Sequence, residues 1–165
     1  MHSQFAPLGN EFRRIGAVDE TGHVYLAEYA HDLEISDDYI NAEKQTQLET
    51  IRKRRALYTP LRPPIDPCRR IVIVVDNGVA TGSTMIAALR AVRAKKPARL
   101  IAAAAVASRE TLRKIASEAD ETICLEVPAR FYAVGQFFED FSQVSDEQVV
   151  AIMLESGSRK RAVGE

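Results

Sequence analysis

From residue 70 onward, short unbroken apolar runs alternate with longer segments of helical character. The runs are Arg70–Val75, Arg99–Val106 and Thr122–Val127, and the segments between them, Ser83–Ala94 and Arg109–Ala119, are predicted as helices. Continuous apolar strands separated by helices predict a parallel sheet covered on both faces. A last helix is expected over Asp146–Leu154, with Ser145 as its cap and Gln148 at the reciprocal capping-box position. The upstream pattern is different. Ile15–Val18 and Val24–Leu26 flank the turn composition Asp19-Glu20-Thr21-Gly22, which predicts a β-hairpin. Ser36 is placed to cap a helix with Asp37 and Asp38 in its first turn and Ile40, Leu48, Ile51 and Leu57 on its apolar stripe. Pro60, Pro63, Pro64 and Pro67 then separate the two parts. The expected fold class is α/β: a Rossmann-like parallel sheet with an N-terminal β-hairpin and helix. It is expected to form one domain over residues 1–156, with a flexible tail over 157–165.

Composition narrows the function. The chain has 165 residues, 46% hydrophobic and 27% charged, which suits a domain with its own core. No apolar run is long enough to span a membrane, and the first residues lack the apolar core of a signal peptide, so a cytoplasmic address is expected. The net charge of −1 gives no reason to expect nucleic acid as a partner. Arg52 to Arg55 are read as solvated helix-end charges, and Arg159-Lys160-Arg161 as part of a solvated terminus. Cys68 and Cys124 are read as separate reduced thiols, and the scattered His2, His23 and His31 as surface or turn residues.

Chemistry concentrates in residues 71–84, IVIVVDNGVATGST. The strand delivers Asp76 and Asn77 at its carboxyl end, where open α/β sheets bind ligands. Gly78, Ala80 and Gly82 let the backbone approach a ligand, Thr81, Ser83 and Thr84 supply hydroxyls, and a helix begins at once. Amide N–H groups at a helix N-terminus, on the positive end of its dipole, make a phosphate site. A Walker loop would need a lysine before its Ser/Thr, and a dinucleotide fingerprint would need G-x-G-x-x-G; this loop has neither. Asp76 is placed to accept hydrogen bonds from sugar hydroxyls or to help hold a metal.

The run Val74-Val75-Asp76-Asn77-Gly78-Val79-Ala80-Thr81-Gly82-Ser83-Thr84 resembles the PRPP-binding motif of type I phosphoribosyltransferases. The resemblance implies that Asp76 and Asn77 face the ribose and act in catalysis, and that Val79, Ala80, Thr81, Gly82, Ser83 and Thr84 bind the substrate, with Ala80 to Thr84 around its 5′-phosphate. Gly16-Ala17-Val18, Arg62-Pro63-Pro64 and Phe131-Tyr132-Ala133-Val134-Gly135, leading to Glu139-Asp140-Phe141-Ser142-Gln143, extend the likeness over about Leu8 to Leu154. They resemble a bacterial family of phosphoribosyltransferase-like proteins, some fused to hydrolases. By that resemblance Phe131, Tyr132, Phe137 or Phe138 lies near a base, and Asp140 near Mg²⁺-bound pyrophosphate. At least two of these four aromatics are expected to be core.

Two departures shape the functional expectation. The motif's second acid is Asn77 here, which removes one negative charge from a site expected to organise Mg²⁺ and a developing oxocarbenium ion. Losing a preorganised electrostatic group of this kind costs on the order of 10²–10³ in rate. The resemblance also implies an earlier strand and a glycine-containing pyrophosphate loop, for which nothing before Gly9 is suited. A sheet without that strand is expected to expose an edge that invites pairing with another chain. A truncated gene model, a partner that supplies the missing part and a degenerate copy all stay open. The leading expectation is a phosphoribosyltransferase that binds PRPP and, with Mg²⁺, transfers its phosphoribosyl group to a nitrogenous base with release of pyrophosphate, its activity open to impairment; PRPP or a nucleoside monophosphate is the expected small-molecule partner, with a homo-oligomer as one option. Beside it stands a non-catalytic module that binds the same ligands.

Overall fold

The structure is a computed structural model that describes residues 2–5, 16–26 and 35–162. The expected positions Ile15, His31 and 163–165 lie outside them. The order is β1 (His2–Phe5), β2 (Gly16–Asp19), β3 (Val24–Leu26), α1 (Asp37–Tyr58), β4 (Ile71–Val79), α2 (Ser83–Arg93), β5 (Arg99–Ala107), α3 (Arg109–Ala116), β6 (Glu121–Glu126), a short 3-10 helix (Val134–Phe137) and α4 (Asp146–Ala162).

The strands form two three-stranded sheets. In the first, β2 pairs antiparallel with β3, from Gly16 opposite Leu26 to Val18 opposite Val24. This is the expected hairpin. Its turn is closed by Gly22 at φ +86°, and the Asp19 carboxylate accepts from the Thr21 and His23 amides at 2.8 and 3.0 Å. β1 adds a strand the sequence pattern does not announce, pairing antiparallel along β2 from His2 opposite Asp19 to Phe5 opposite Gly16. His-Ser-Gln-Phe has little β character of its own, so tertiary pairing decides its state. The second sheet is parallel in the order β4-β5-β6, with Ile73 beside Ile101 and Ala103 beside Ile123.

Helix α2 lies between the two sheets. Its Met85 and Leu89 join Leu100, Ala102, Ala104 and Ile115 in the core of the parallel sheet, while the β1-β2-β3 sheet packs against α2 as well. The helix ends obey local chemistry. The Ser36 hydroxyl accepts from the Tyr39 amide at 3.3 Å, and Ser108 accepts from Thr111 at 3.1 Å. Ser145 and Gln148 cap each other at 3.3 and 2.8 Å. On α1 only Ile51 is buried, whereas Leu57 is 43% exposed and is not part of the inward stripe. Tyr58 donates to Asp146 and Arg62 reaches Ser156 at 3.0 Å, which ties α4 to α1 and the turn after it. Helix α4 continues to Ala162, past Gly157 where the tail was expected to begin.

Among the described residues the parallel sheet does not show the expected double cover. Helices α2 and α3 cover one face. On the other, Ile71, Ile73 and Val75 of β4 are 66%, 56% and 72% exposed, and Ile123 and Leu125 of β6 are 45% and 80% exposed. The register places these residues on one side, flanking Ala103. Among the described residues β4 is an edge strand of the parallel sheet.

Candidate functional site

The site is built at the carboxyl end of β4. The strand runs four residues further than its apolar pattern suggests, because pairing with β5 continues through Asp76 beside Ala104, Gly78 beside Val106 and Val79 beside Ala107. Asp76 and Asn77 are therefore held on paired backbone rather than in a free loop. Asp76 is half-buried and its Oδ1 accepts from the Gly78 amide at 3.3 Å, while Asn77 is exposed. Val79 is 4% exposed and its side chain belongs to the core, so its backbone is what it can offer a ligand.

The chain then turns through Ala80 and Thr81 to Gly82, the N-cap of α2, at φ +88°. Only glycine adopts this conformation without strain. Gly82 has no side chain to cap α2, and the first amide of the helix, at Ser83, donates to the Thr81 hydroxyl at 3.5 Å. The Thr81 and Ser83 hydroxyls lie 3.3 Å apart, both at the mouth of the turn. This is the geometry of an anion cradle: hydroxyls, a glycine turn and the positive end of an eleven-residue helix.

Two neighbouring segments hold the cradle. Thr111 of α3 is 5% exposed, and its Oγ1 donates to the Ala80 carbonyl at 2.7 Å while accepting from Ser108 at 2.9 Å. On another side the 3-10 helix presses against the strand end. A Cβ placed on Gly78 would lie 2.2 Å from Val134 Cγ1, so glycine is required there by close approach. Neither Thr111 nor Val134 stood out as a site residue in the sequence. The signal for the first was Ser108-x-x-Thr111, a capping pattern directly after the neighbouring strand.

The remaining sequence candidates separate. Phe131 stacks on Phe137 with centroids 5.7 Å apart, and Phe138 packs on Phe141 at 5.2 Å, so these four rings partner one another. Tyr132 is 82% exposed. Asp140 is exposed; the Ser142 amide, at 2.8 Å, and then the Ser142 hydroxyl hold its carboxyl below the usual aspartate range. Among the described residues no three of His, Cys, Asp or Glu gather as a metal-holding group. Cys68 and Cys124 are free thiols. No helix among the described residues is long and apolar enough to cross a membrane. A cleft of about 470 Å³ lies between β3, α2 and α3 and takes in Thr81 and Ser83, but not Asp76 or Asn77. It adjoins the cradle without containing the acid, so the strand end rather than this cleft is the better candidate centre.

A parallel sheet with an acid near the end of its edge strand and a glycine-turned helix N-terminus behind it defines a class: α/β proteins with a turn suited to an anion at the carboxyl end of a strand. The comparisons make this specific. The family described as "Phosphoribosyl transferase domain" matches residues 6–141, and the chain belongs to it. The chain is 32% identical over 139 residues to the "Putative phosphoribosyl transferase" of Mycobacterium tuberculosis, in strains H37Rv and CDC 1551. That match covers 84% of this chain and 31% of the relative, so the chain spans about a third of the mycobacterial protein's length. The crystal structure of TT1426 from Thermus thermophilus superposes with a TM-score of 0.68 at 38% identity, covering 93% of this chain and 73% of that one.

Proposed function

We propose that the chain binds the ribose 5-phosphate part of PRPP, or of a nucleoside monophosphate, at the Asp76–Thr84 turn and is a phosphoribosyltransferase. In the reaction, a ring nitrogen of a base attacks C1 of PRPP. The C1–O bond to pyrophosphate breaks, and its electrons leave with the pyrophosphate oxygen. The observation that carries this reading is the N-terminus of α2 turned by Gly82 at φ +88°, set a few residues after a half-buried acid.

Each part of the site has a distinct task in this proposal. The amides of α2 and the hydroxyls of Thr81, Ser83 and Thr84 hold the 5′-phosphate. Asp76 accepts from the ribose hydroxyls and Asn77 donates to or accepts from one of them. Tyr132, exposed near the start of the aromatic segment, would stack on the base. Mg²⁺ suits this donor set only as an ion shared with substrate oxygens, since magnesium is commonly held by one or two carboxylates together with phosphates. Asp76 and Asp140 are the carboxylates that would serve it, and the bound ion would neutralise charge on the departing pyrophosphate. We place the activity in the cytoplasm, with small molecules rather than nucleic acid as partners, and leave room for a homo-oligomer.

Asn77 favours a second reading, a module that binds PRPP or a nucleotide without turnover, because one carboxylate fewer weakens catalysis more than binding. Calorimetric titration of wild type and Asn77→Asp with PRPP and Mg²⁺, alongside a pyrophosphate-release assay, tests both. Binding with release supports the enzyme. Binding without release, restored in part by Asn77→Asp, supports the module. Absence of binding by both proteins overturns the shared premise.

A further inference from the structure

We infer that Thr111, on the helix after the neighbouring strand, is the positioning residue that aims the phosphate turn, an inference that rests on the proposed role of that turn. Its hydroxyl donates to the Ala80 carbonyl at 2.7 Å, and its methyl carbon lies 3.2 Å from where a Cβ at position 82 would stand. One side chain therefore bonds the turn at Ala80 and fills the space beside Gly82.

The consequence follows from peptide geometry. The carbonyl of Ala80 and the N–H of Thr81 belong to one planar trans peptide and point in opposite directions. Holding the oxygen toward α3 turns the Thr81 N–H away from α3, and it limits the orientations open to the glycine peptide that follows. Without that hold the Ala80–Thr81 peptide can tilt through the soft dihedrals on either side of it, ψ of Ala80 and φ of Thr81. Ser108 donates to Thr111 Oγ1 at 2.9 Å and accepts from the Thr111 amide at 3.1 Å, so the threonine hydroxyl has its acceptor role filled and its proton directed at Ala80. Thr111 is 5% exposed, which leaves water little chance to replace the bond. The end of β5 thus sets the aim of the turn that follows β4.

Thr111→Val keeps the shape and removes the hydroxyl; Thr111→Ser keeps the hydroxyl and removes the methyl. The first readout is hydrogen–deuterium exchange of the amides at 81–84 in the unliganded protein, and the second is the dissociation constant for ribose 5-phosphate. Thr111→Val is expected to speed exchange at 81–84 several-fold and to weaken binding about tenfold, the scale of one buried hydrogen bond. Thr111→Ser is expected to stay within about twofold of wild type in both, on the same scale. Unchanged exchange in Thr111→Val overturns the inference. So does equal damage from Thr111→Ser, which would make the methyl packing the cause. If wild type itself fails to bind ribose 5-phosphate, the phosphate reading falls, while exchange at 81–84 still decides whether Thr111 holds the turn.

Discussion

Gly78→Ala is the sharpest test of how the site is assembled. The added methyl would sit 2.2 Å from Val134 Cγ1, 2.9 Å from its Cγ2 and 3.0 Å from Val106 Cγ1. Ordinary contact begins near 3.4 Å, so the valine would have to retreat by more than an ångström. A rotamer change cannot supply this, because both of its methyls lie too close. Val106 is 1% exposed and sits on the paired strand β5, so it has no room to yield. The 3-10 helix must therefore lift. Overpacking of this kind costs about 1–3 kcal/mol, and three simultaneous clashes put the expectation at about 2–3 kcal/mol. Val134→Ala alone should cost about 1 kcal/mol through lost packing. In the double variant the clash is relieved, so the two costs should fall short of additive by at least about 1 kcal/mol. Urea unfolding followed by circular dichroism suits the assay, as the chain has no tryptophan. With slopes of about 1–3 kcal/mol per molar, Gly78→Ala should lower the midpoint by about 1 M. A midpoint within about 0.2 M of wild type, or strictly additive costs, would refute the claim that Val134 closes on the strand end.

Four further outcomes follow from named contacts. Gly82→Ala forces a Cβ into φ +88° and to within 3.2 Å of Thr111, so it should destabilise by about 1–2 kcal/mol in the same unfolding assay. Ser36→Ala removes the cap accepted by Tyr39 and should cost about 1 kcal/mol, seen as a lower thermal midpoint. The Asp120 carboxyl is held below its ordinary value of 3.8 by the Arg93 side chain, then by the Leu100 amide; its stabilising effect is complete above that value and lost as pH falls through the lower folded one, so Asp120→Asn should flatten the acid limb of stability against pH. Ile73→Thr with Val75→Thr should reduce binding of a hydrophobic dye by the native protein, because both side chains lie on the exposed apolar face of β4; unchanged dye fluorescence would contradict that exposure.

The parts of the fold written in local chemistry were legible in the sequence. Ser36, Ser145 with Gln148, and the Asp19–Gly22 turn behave as their types dictate, because a cap or a turn is settled within a few residues. The turn before α2 was legible for the same reason: glycine at Gly82 is demanded by its own φ of +88°. What stayed hidden depends on residues far apart in the chain. Strand β1 exists by pairing with β2, and the last residues of β4 are strand because β5 runs beside them. Thr111 and Val134 reach the strand end and its turn from 31 and 56 positions after Ala80 and Gly78, respectively; the Ser108-x-x-Thr111 pattern marks a helix start but does not encode the contact with Ala80. The exposed face shows the reverse case. The apolar runs of β4 and β6 were correctly read as strands, but periodicity reports only what a residue type is suited to bury. Ile71, Ile73, Val75, Ile123 and Leu125 have the composition of an interior face and remain open among the described residues. That open face belongs to the same strand that carries Asp76, so its exposure bears on how firmly the site is held as well as on solubility.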